Sequence, residues 1–267
     1  MAMASPPVRR LSPALLSRGC RWLCSRTRRP IVALVAPRDS PALAKHMPSE
    51  LAEFIVADNL RDMQAHPSFG EVEALLWIPP GPPPLLTELW KGGHLPKCRW
   101  VHGFYAGVDA ISDFVRELST SDVPLTNGRG AFSSSLAEYA MMAALHFNKQ
   151  VPRCIDNRRA RVWDKFVMSE LRGRTLGLVG YGDIAKATAK LAKAFGMRVV
   201  ALRRDANKPD ESVMVVSWGS GPIQPAHKRA LFSQSDVVVC VLPGTADTRH
   251  FVSKAEFGAM RQGSIFI

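Results

Sequence analysis

Arg174-Thr-Leu-Gly-Leu-Val-Gly-Tyr-Gly-Asp-Ile-Ala-Lys-Ala-Thr-Ala-Lys-Leu-Ala-Lys-Ala-Phe-Gly-Met-Arg-Val-Val-Ala-Leu-Arg-Arg-Asp205 is the stretch whose reading decides the fold. Thr175 to Val179 is a short apolar run, and Gly180-Tyr-Gly182-Asp-Ile-Ala185 matches the G-x-G-x-x-G/A turn. Ile184, Ala185, Thr188, Leu191, Ala192 and Phe195 then recur at helical spacing, Gly196 stops the helix, and Val199 to Leu202 form a second strand. This is a βαβ unit. Gly180 permits the tight turn, Gly182 leaves bare backbone for a pyrophosphate, and Ala185 is small enough for helix to pack on strand. The helix start adds unpaired N–H groups and a partial positive charge.

Upstream, strands alternate with helices. Ile31 to Ala36, Phe54 to Val56, Glu73 to Ile78, Trp100 to His102 and Val123 to Thr126 read as strands. A short helix is expected from Ser49, a helical turn over Leu85 to Trp90, and a turn entering a helix over Phe104 to Ile111. Alternation of this kind predicts a parallel α/β sheet, placing a first domain at 31–130. Ser135-Leu-Ala-Glu138 reads as a capping box for a helix with Leu136, Tyr139, Ala140, Ala143, Ala144 and Phe147 on one apolar stripe and Pro152 as its end. Residues 131–170 are thus expected to be a connecting helix and linker, with the nucleotide domain at 171–267. Downstream, Val213 to Ser217 and Val237 to Leu242 read as strands. Ser253-Lys-Ala-Glu256 caps a short helix through Met260, and Gly263 to Ile267 begins another strand.

The chain has 267 residues and a net charge of +12, which raises the possibility of nucleic-acid binding. Location argues against it: residues 1–30 hold seven Arg and no Asp or Glu, and removing them leaves +5. That tail reads as a mitochondrial or plastid transit peptide, or else as a basic arm on a cytoplasmic protein. No run approaches the roughly 18 apolar residues of a membrane span. The five cysteines show no disulfide or zinc spacing, and Cys240 reads as a buried core thiol.

Four stretches together are more specific than the glycine turn: Phe104-Tyr-Ala-Gly-Val-Asp109, Asn127 to Ala140, the βαβ unit, and Ser235 to Pro243 with Thr248 to Val252. In this order and spacing they resemble the D-isomer-specific 2-hydroxyacid dehydrogenases, the family of phosphoglycerate dehydrogenase and glyoxylate/hydroxypyruvate reductase, over about residues 31–267. The resemblance implies a flavodoxin-like substrate domain and an incomplete Rossmann domain enclosing a cleft. There a hydride passes between nicotinamide and a small 2-oxo or 2-hydroxy acid. It also implies that Gly180, Tyr181, Gly182, Asp183 and Ile184 hold the pyrophosphate, that Leu242, Pro243 and Thr248 line the adenosine and nicotinamide side, and that chains pair as homodimers.

The residue ending the second strand selects the cofactor, because an acid accepts from a ribose 2′-OH while an Arg pairs with a 2′-phosphate. Arg203 and Arg204 at this point favour NADP(H) over NAD(H), the alternative being solvated charges with Asp205 as the ribose partner. On the substrate side, relatives bind a carboxylate through backbone N–H groups after the third strand, where this chain has Pro79-Pro-Gly-Pro-Pro-Pro84. Only Gly81 has an N–H there. Carboxylate binding is therefore weakened or shifted to Tyr105 through Gly107, or the loop is a structural cap. The family's catalytic Arg, Glu and His are expected beyond Ile267, none of the seven histidines matching. The mid-strand ending reads as truncation, giving a chain inactive alone or, alternatively, a non-catalytic dinucleotide-binding protein.

Overall fold

The structure is a computed structural model that describes residues 28–37, 43, 47–204, 213–217 and 223–267. Residues 1–27 of the expected transit segment, Asp205 and the Pro/Gly-rich stretch 218–222 lie outside the described residues. The chain divides into two compact units, Met1–Asn127 and Gly128–Ile267.

The first unit is built on five parallel strands, β1 (Ile31–Val35), β2 (Glu53–Ala57), β3 (Ala74–Trp77), β4 (Trp100–Gly103) and β5 (Leu125–Asn127), in the order β2-β1-β3-β4-β5. Successive side chains point to opposite faces, and the apolar strand sequences bury both. Ile31, Ala33, Val35, Leu75, Trp77 and Val101 pack against Met63 of α1 (Leu60–Gln64), Leu85, Leu86 and Leu89 of α2 (Pro83–Lys91), and Phe114 and Leu118 of α3 (Ser112–Leu118). Val32, Ala74, Phe54 and Leu76 form a smaller cluster on the opposite face.

The second unit opens with two helices, α4 (Ser133–Asn148) and α5 (Val151–Ala160). Its sheet contains β6 (Thr175–Val179), β7 (Arg198–Arg203), β8 (Met214–Ser217), β9 (Val237–Cys240) and β10 (Ile265–Phe266), all parallel and ordered β10-β9-β6-β7-β8. On one face Leu176, Leu178, Val199, Ala201, Val237 and Val239 meet Ala140, Met141 and Ala144 of α4 and Ala185, Ala189 and Ala192 of α6 (Asp183–Ala194). Val179, Leu202 and Val238 meet Leu231 and Phe232 of α7 (Pro225–Gln234) on the other. The short α8 (Lys254–Ala259) begins with a capping box at Ser253 and Glu256, as the sequence predicts. Both sheets are the parallel α/β type expected.

Several local expectations are corrected. Residues 49–51 form a turn rather than a helix, because β2 starts at Glu53 and leaves no room for one. Helix α4 begins at Ser133, with no side-chain cap, so Ser135-x-x-Glu138 lies inside it. Its buried residues are Ala137, Ala140, Met141, Ala143, Ala144 and Asn148, so the three alanines of the expected stripe are buried while Leu136, Tyr139 and Phe147 are exposed. The small side chains let α4 approach the alanine-rich face of α6, and the large ones do not fit there. Pro152 does not end α4; it occupies the first turn of α5, where a missing N–H breaks no helical bond. In the last helix pair, Lys228 of α7 donates to Phe251 O at 2.7 Å and to Glu256 Oε1 at 3.0 Å, an ion pair largely shielded from water. Burial works against the Glu256 charge, yet hydrogen bonds from Ser253 and Lys228 hold its carboxyl below the usual range.

Candidate dinucleotide site

The chain leaves β6 toward β7 on one side and returns to β9 on the other, so the carboxyl ends of β6 and β9 form the topological switch point of the second sheet. Crevices for ligands open at such points. The glycine turn lies there. Gly180 follows β6 with φ +92°, and its N–H donates to Leu202 O at 2.9 Å. A Cβ on it would lie 2.7 Å from Val241 O and 3.2 Å from Leu242 Cδ2. Leu242 therefore stands beside Gly180, across the switch point from the first βαβ unit.

Gly182 is the N-cap of α6, in extended conformation with φ −92° and ψ −160°, and no side chain caps the helix. A Cβ built on Gly182 meets nothing within 4 Å, so bare backbone faces open space. The first-turn amides of an α-helix have no intrahelical partner, and here they open from an uncapped turn carrying the positive end of the helix dipole. Ala185 is fully buried against the sheet. A dinucleotide pyrophosphate fits this set: a gap in place of a side chain, aligned amides and close helix–strand packing.

The other expected cofactor residues are distributed around this turn. Tyr181 and Ile184 are half-buried, and Asp183 is the first residue of α6. Arg203 ends β7 half-buried, and Arg204 beyond it is exposed. Pro243 is exposed after β9. The Thr248 hydroxyl donates to Pro243 O and accepts from Thr245 N at 3.0 Å, which folds 243–248 back on itself. Its hydroxyl thus holds the turn.

In the first unit, Gly81 lies in the proline loop after β3. Its N–H donates to Ile78 O at 2.9 Å, Ile78 N–H donates to Val35 O, and Leu85 N–H to Pro82 O. With five prolines lacking N–H groups, Ile78 through Leu85 presents no uncommitted backbone donor outside the body of α2. The Trp77 indole donates to Gly81 O at 2.8 Å, and a Cβ on Gly81 would lie 2.5 Å from Val35 O. This loop is clamped onto the end of β1. Tyr105 and Gly107 are exposed, Tyr105 packing edge-on to Trp77 with ring centroids 6.1 Å apart.

Other chemistry-bearing groups point to structural roles. Burial pushes the Cys98 thiol up to about 11 and raises that of Cys240, which is half-buried rather than fully buried because β9 ends there. Burial lowers the pKa of His102, whose Nδ1 lies 2.8 Å from Thr126 Oγ1. No group of metal-ligating residues occurs, and no helix is long and apolar enough to cross a membrane, among the described residues.

Residues 141–267 match the family model described as D-isomer specific 2-hydroxyacid dehydrogenase, NAD binding domain. A hydroxypyruvate reductase of Thermotoga maritima is 30% identical over 164 residues, covering 61% of this chain and 50% of the relative. Over these residues the chain is similar to the D-isomer-specific 2-hydroxyacid dehydrogenases. A glyoxylate reductase of Korarchaeum cryptofilum is 30% identical over 193 residues, covering 69% of this chain and 54% of that one. Among solved structures, a D-isomer specific 2-hydroxyacid dehydrogenase family protein from Aeromonas salmonicida aligns with a TM-score of 0.66 at 27% identity, covering 90% of this chain and 72% of that one. The chain spans about half the length of the curated relatives it matches.

One residue beside the dinucleotide turn escaped sequence reasoning. Arg129 Nε donates to Asp183 Oδ2 at 2.9 Å, a contact between positions 54 apart that no local pattern announces.

Proposed function

We propose that this chain binds a nicotinamide dinucleotide at the Gly180–Ile184 turn and serves the interconversion of a small 2-oxo acid and its 2-hydroxy acid. The observation carrying this reading is the bare, uncapped glycine turn at the switch point of a family-matched unit. When bound, a reduced nicotinamide supplies a hydride to a carbonyl carbon. The chain's own part is to hold the pyrophosphate on the α6 amides and to place Leu242 and Pro243 along the cofactor's flank. With the proline loop closed, the substrate carboxylate is assigned to the Tyr105–Gly107 backbone, with Gly81 acting only to anchor the loop. The acid/base pair is assigned to none of the described residues, since no histidine among them contacts a carboxylate. That observation keeps a second reading open, a dinucleotide-binding protein without turnover. NADPH oxidation on adding glyoxylate or hydroxypyruvate supports the first reading, and tight NADPH binding without oxidation supports the second.

Arg203 at the end of β7 favours the phosphorylated cofactor. Arg203→Ala is expected to weaken NADPH binding roughly ten- to a hundredfold, as for loss of a charge-assisted hydrogen bond, and to leave NADH binding almost unchanged. Calorimetric titration with both cofactors checks this. Equal affinities in the parent chain, or unchanged NADPH affinity in the variant, would remove the assignment.

We further propose a homodimer formed through the second unit. Tyr139, Met142 and Phe147 of α4 are exposed, and Trp163 and Val167 are 89% and 90% exposed in the segment after α5. Large apolar side chains so fully in water mark an association surface. Sedimentation velocity is expected to find a two-chain species that Trp163→Ser together with Tyr139→Ser dissociates. A parent chain that sediments as a monomer at micromolar concentration would sink the proposal. The Arg-rich residues 1–30 are consistent with delivery to a mitochondrion or plastid.

A further inference from the structure

The turn meant to receive a pyrophosphate carries the wrong charge on its own. Between Gly180 and Ala185 the single side chain charged at neutral pH is Asp183, at the first position of α6. An acid there complements the dipole of the empty helix, but it opposes a phosphate approaching the same amides. Arg129 answers that charge. It sits in the tight turn before α4, where Ala131 N–H donates to Gly128 O at 3.1 Å and Ser133 N–H to Gly130 O at 3.3 Å. Helix α4 is in turn packed on α6 through Ala140, Met141 and Ala144 against Ala185 and Ala189, so the Arg129 turn and the glycine turn belong to one packed body. Asp183 takes the Arg129 Nε–H, and the terminal nitrogens of a guanidinium carry four further N–H groups in a fork suited to phosphate oxygens.

We propose that Arg129 is a cofactor-positioning residue: tethered by Asp183 at the mouth of the glycine turn, its guanidinium supplies the positive charge that receives the pyrophosphate. This rests on the dinucleotide reading of the turn. The pair itself contributes little to the fold, because its side chains are 61% and 46% exposed and exposed ion pairs are screened. Binding is where it acts.

The test is calorimetric titration of the full 267-residue chain with NADPH, with ADP-ribose, which has the pyrophosphate but no nicotinamide, and with adenosine 2′-monophosphate, which lacks the pyrophosphate. Arg129→Met is expected to weaken NADPH and ADP-ribose roughly ten- to a hundredfold and to leave adenosine 2′-monophosphate and the thermal midpoint unchanged. Arg129→Lys should recover part of the loss. Adding Asp183→Asn to Arg129→Met should also recover part of it, by removing a carboxylate no longer neutralised. An Arg129→Met chain that binds NADPH within twofold of the parent, or more tightly, overturns the proposal, as does an equal loss for all three ligands. Failure of the parent chain to bind any of them would overturn the dinucleotide reading instead.

Discussion

Gly182→Ala is expected to leave the folded chain nearly as stable as before and to remove most of its dinucleotide affinity. The backbone at Gly182, φ −92° and ψ −160°, is open to any L-residue, and a Cβ there meets nothing within 4 Å. Losing a glycine stabilises by restricting the unfolded chain, while alanine is a poorer N-cap than glycine. The net change should stay within about 1 kcal/mol. The same methyl fills the space through which a pyrophosphate reaches the first-turn amides of α6. Displaced by about a methyl radius, the phosphate loses good hydrogen-bond geometry to several amides at once, an effect of about a hundredfold or more in Kd. Urea denaturation and NADPH titration on the same sample separate the two quantities. If the variant binds NADPH within threefold of the parent, the pyrophosphate does not lie over Gly182.

Gly180→Ala should fail differently, losing stability as well as binding. At φ +92° an L-side chain is strained, and the added Cβ would stand 2.7 Å from Val241 O. Val241 cannot easily retreat, because its N–H donates to Val179 O at 2.9 Å and ties the end of β9 to β6. Strain and collision together are expected to lower the unfolding free energy by about 2–4 kcal/mol. A urea midpoint equal to that of the parent would contradict the turn geometry described for Gly180. Two glycines two residues apart thus have separable roles. On the proposed reading, Gly180 serves the fold and through it the site, and Gly182 serves the site alone.

Much of this was legible in the sequence because the signals are local. Thr175 to Val179, the glycine turn and Val199 to Leu202 lie within about thirty residues, and their order alone demands a parallel βαβ unit. The Ser253–Glu256 capping box likewise declares itself at three-residue spacing. The stripe expected on α4 held at Ala140, Ala143 and Ala144 but not at its large residues, because periodicity shows that a helix has faces, whereas packing distance decides which face is buried. Alanines and Met141 won over Leu136, Tyr139 and Phe147 because α6 presents alanines in return. Helix α5 was missed because Pro152 reads as the end of α4 when it is a first-turn residue of the next helix.

The sequence by itself determined that two parallel α/β units follow one another and that one carries a phosphate-sized turn, because strand length, helical spacing and glycine placement are properties of neighbouring residues. Only the tertiary structure decided that the Gly81 N–H is committed to Ile78 O, that Gly180 touches the end of β9, and that Arg129 meets Asp183 across 54 positions. Each of these is a contact between segments that the sheet order and the packing of helix on helix bring together, and distance along the chain carries no record of it.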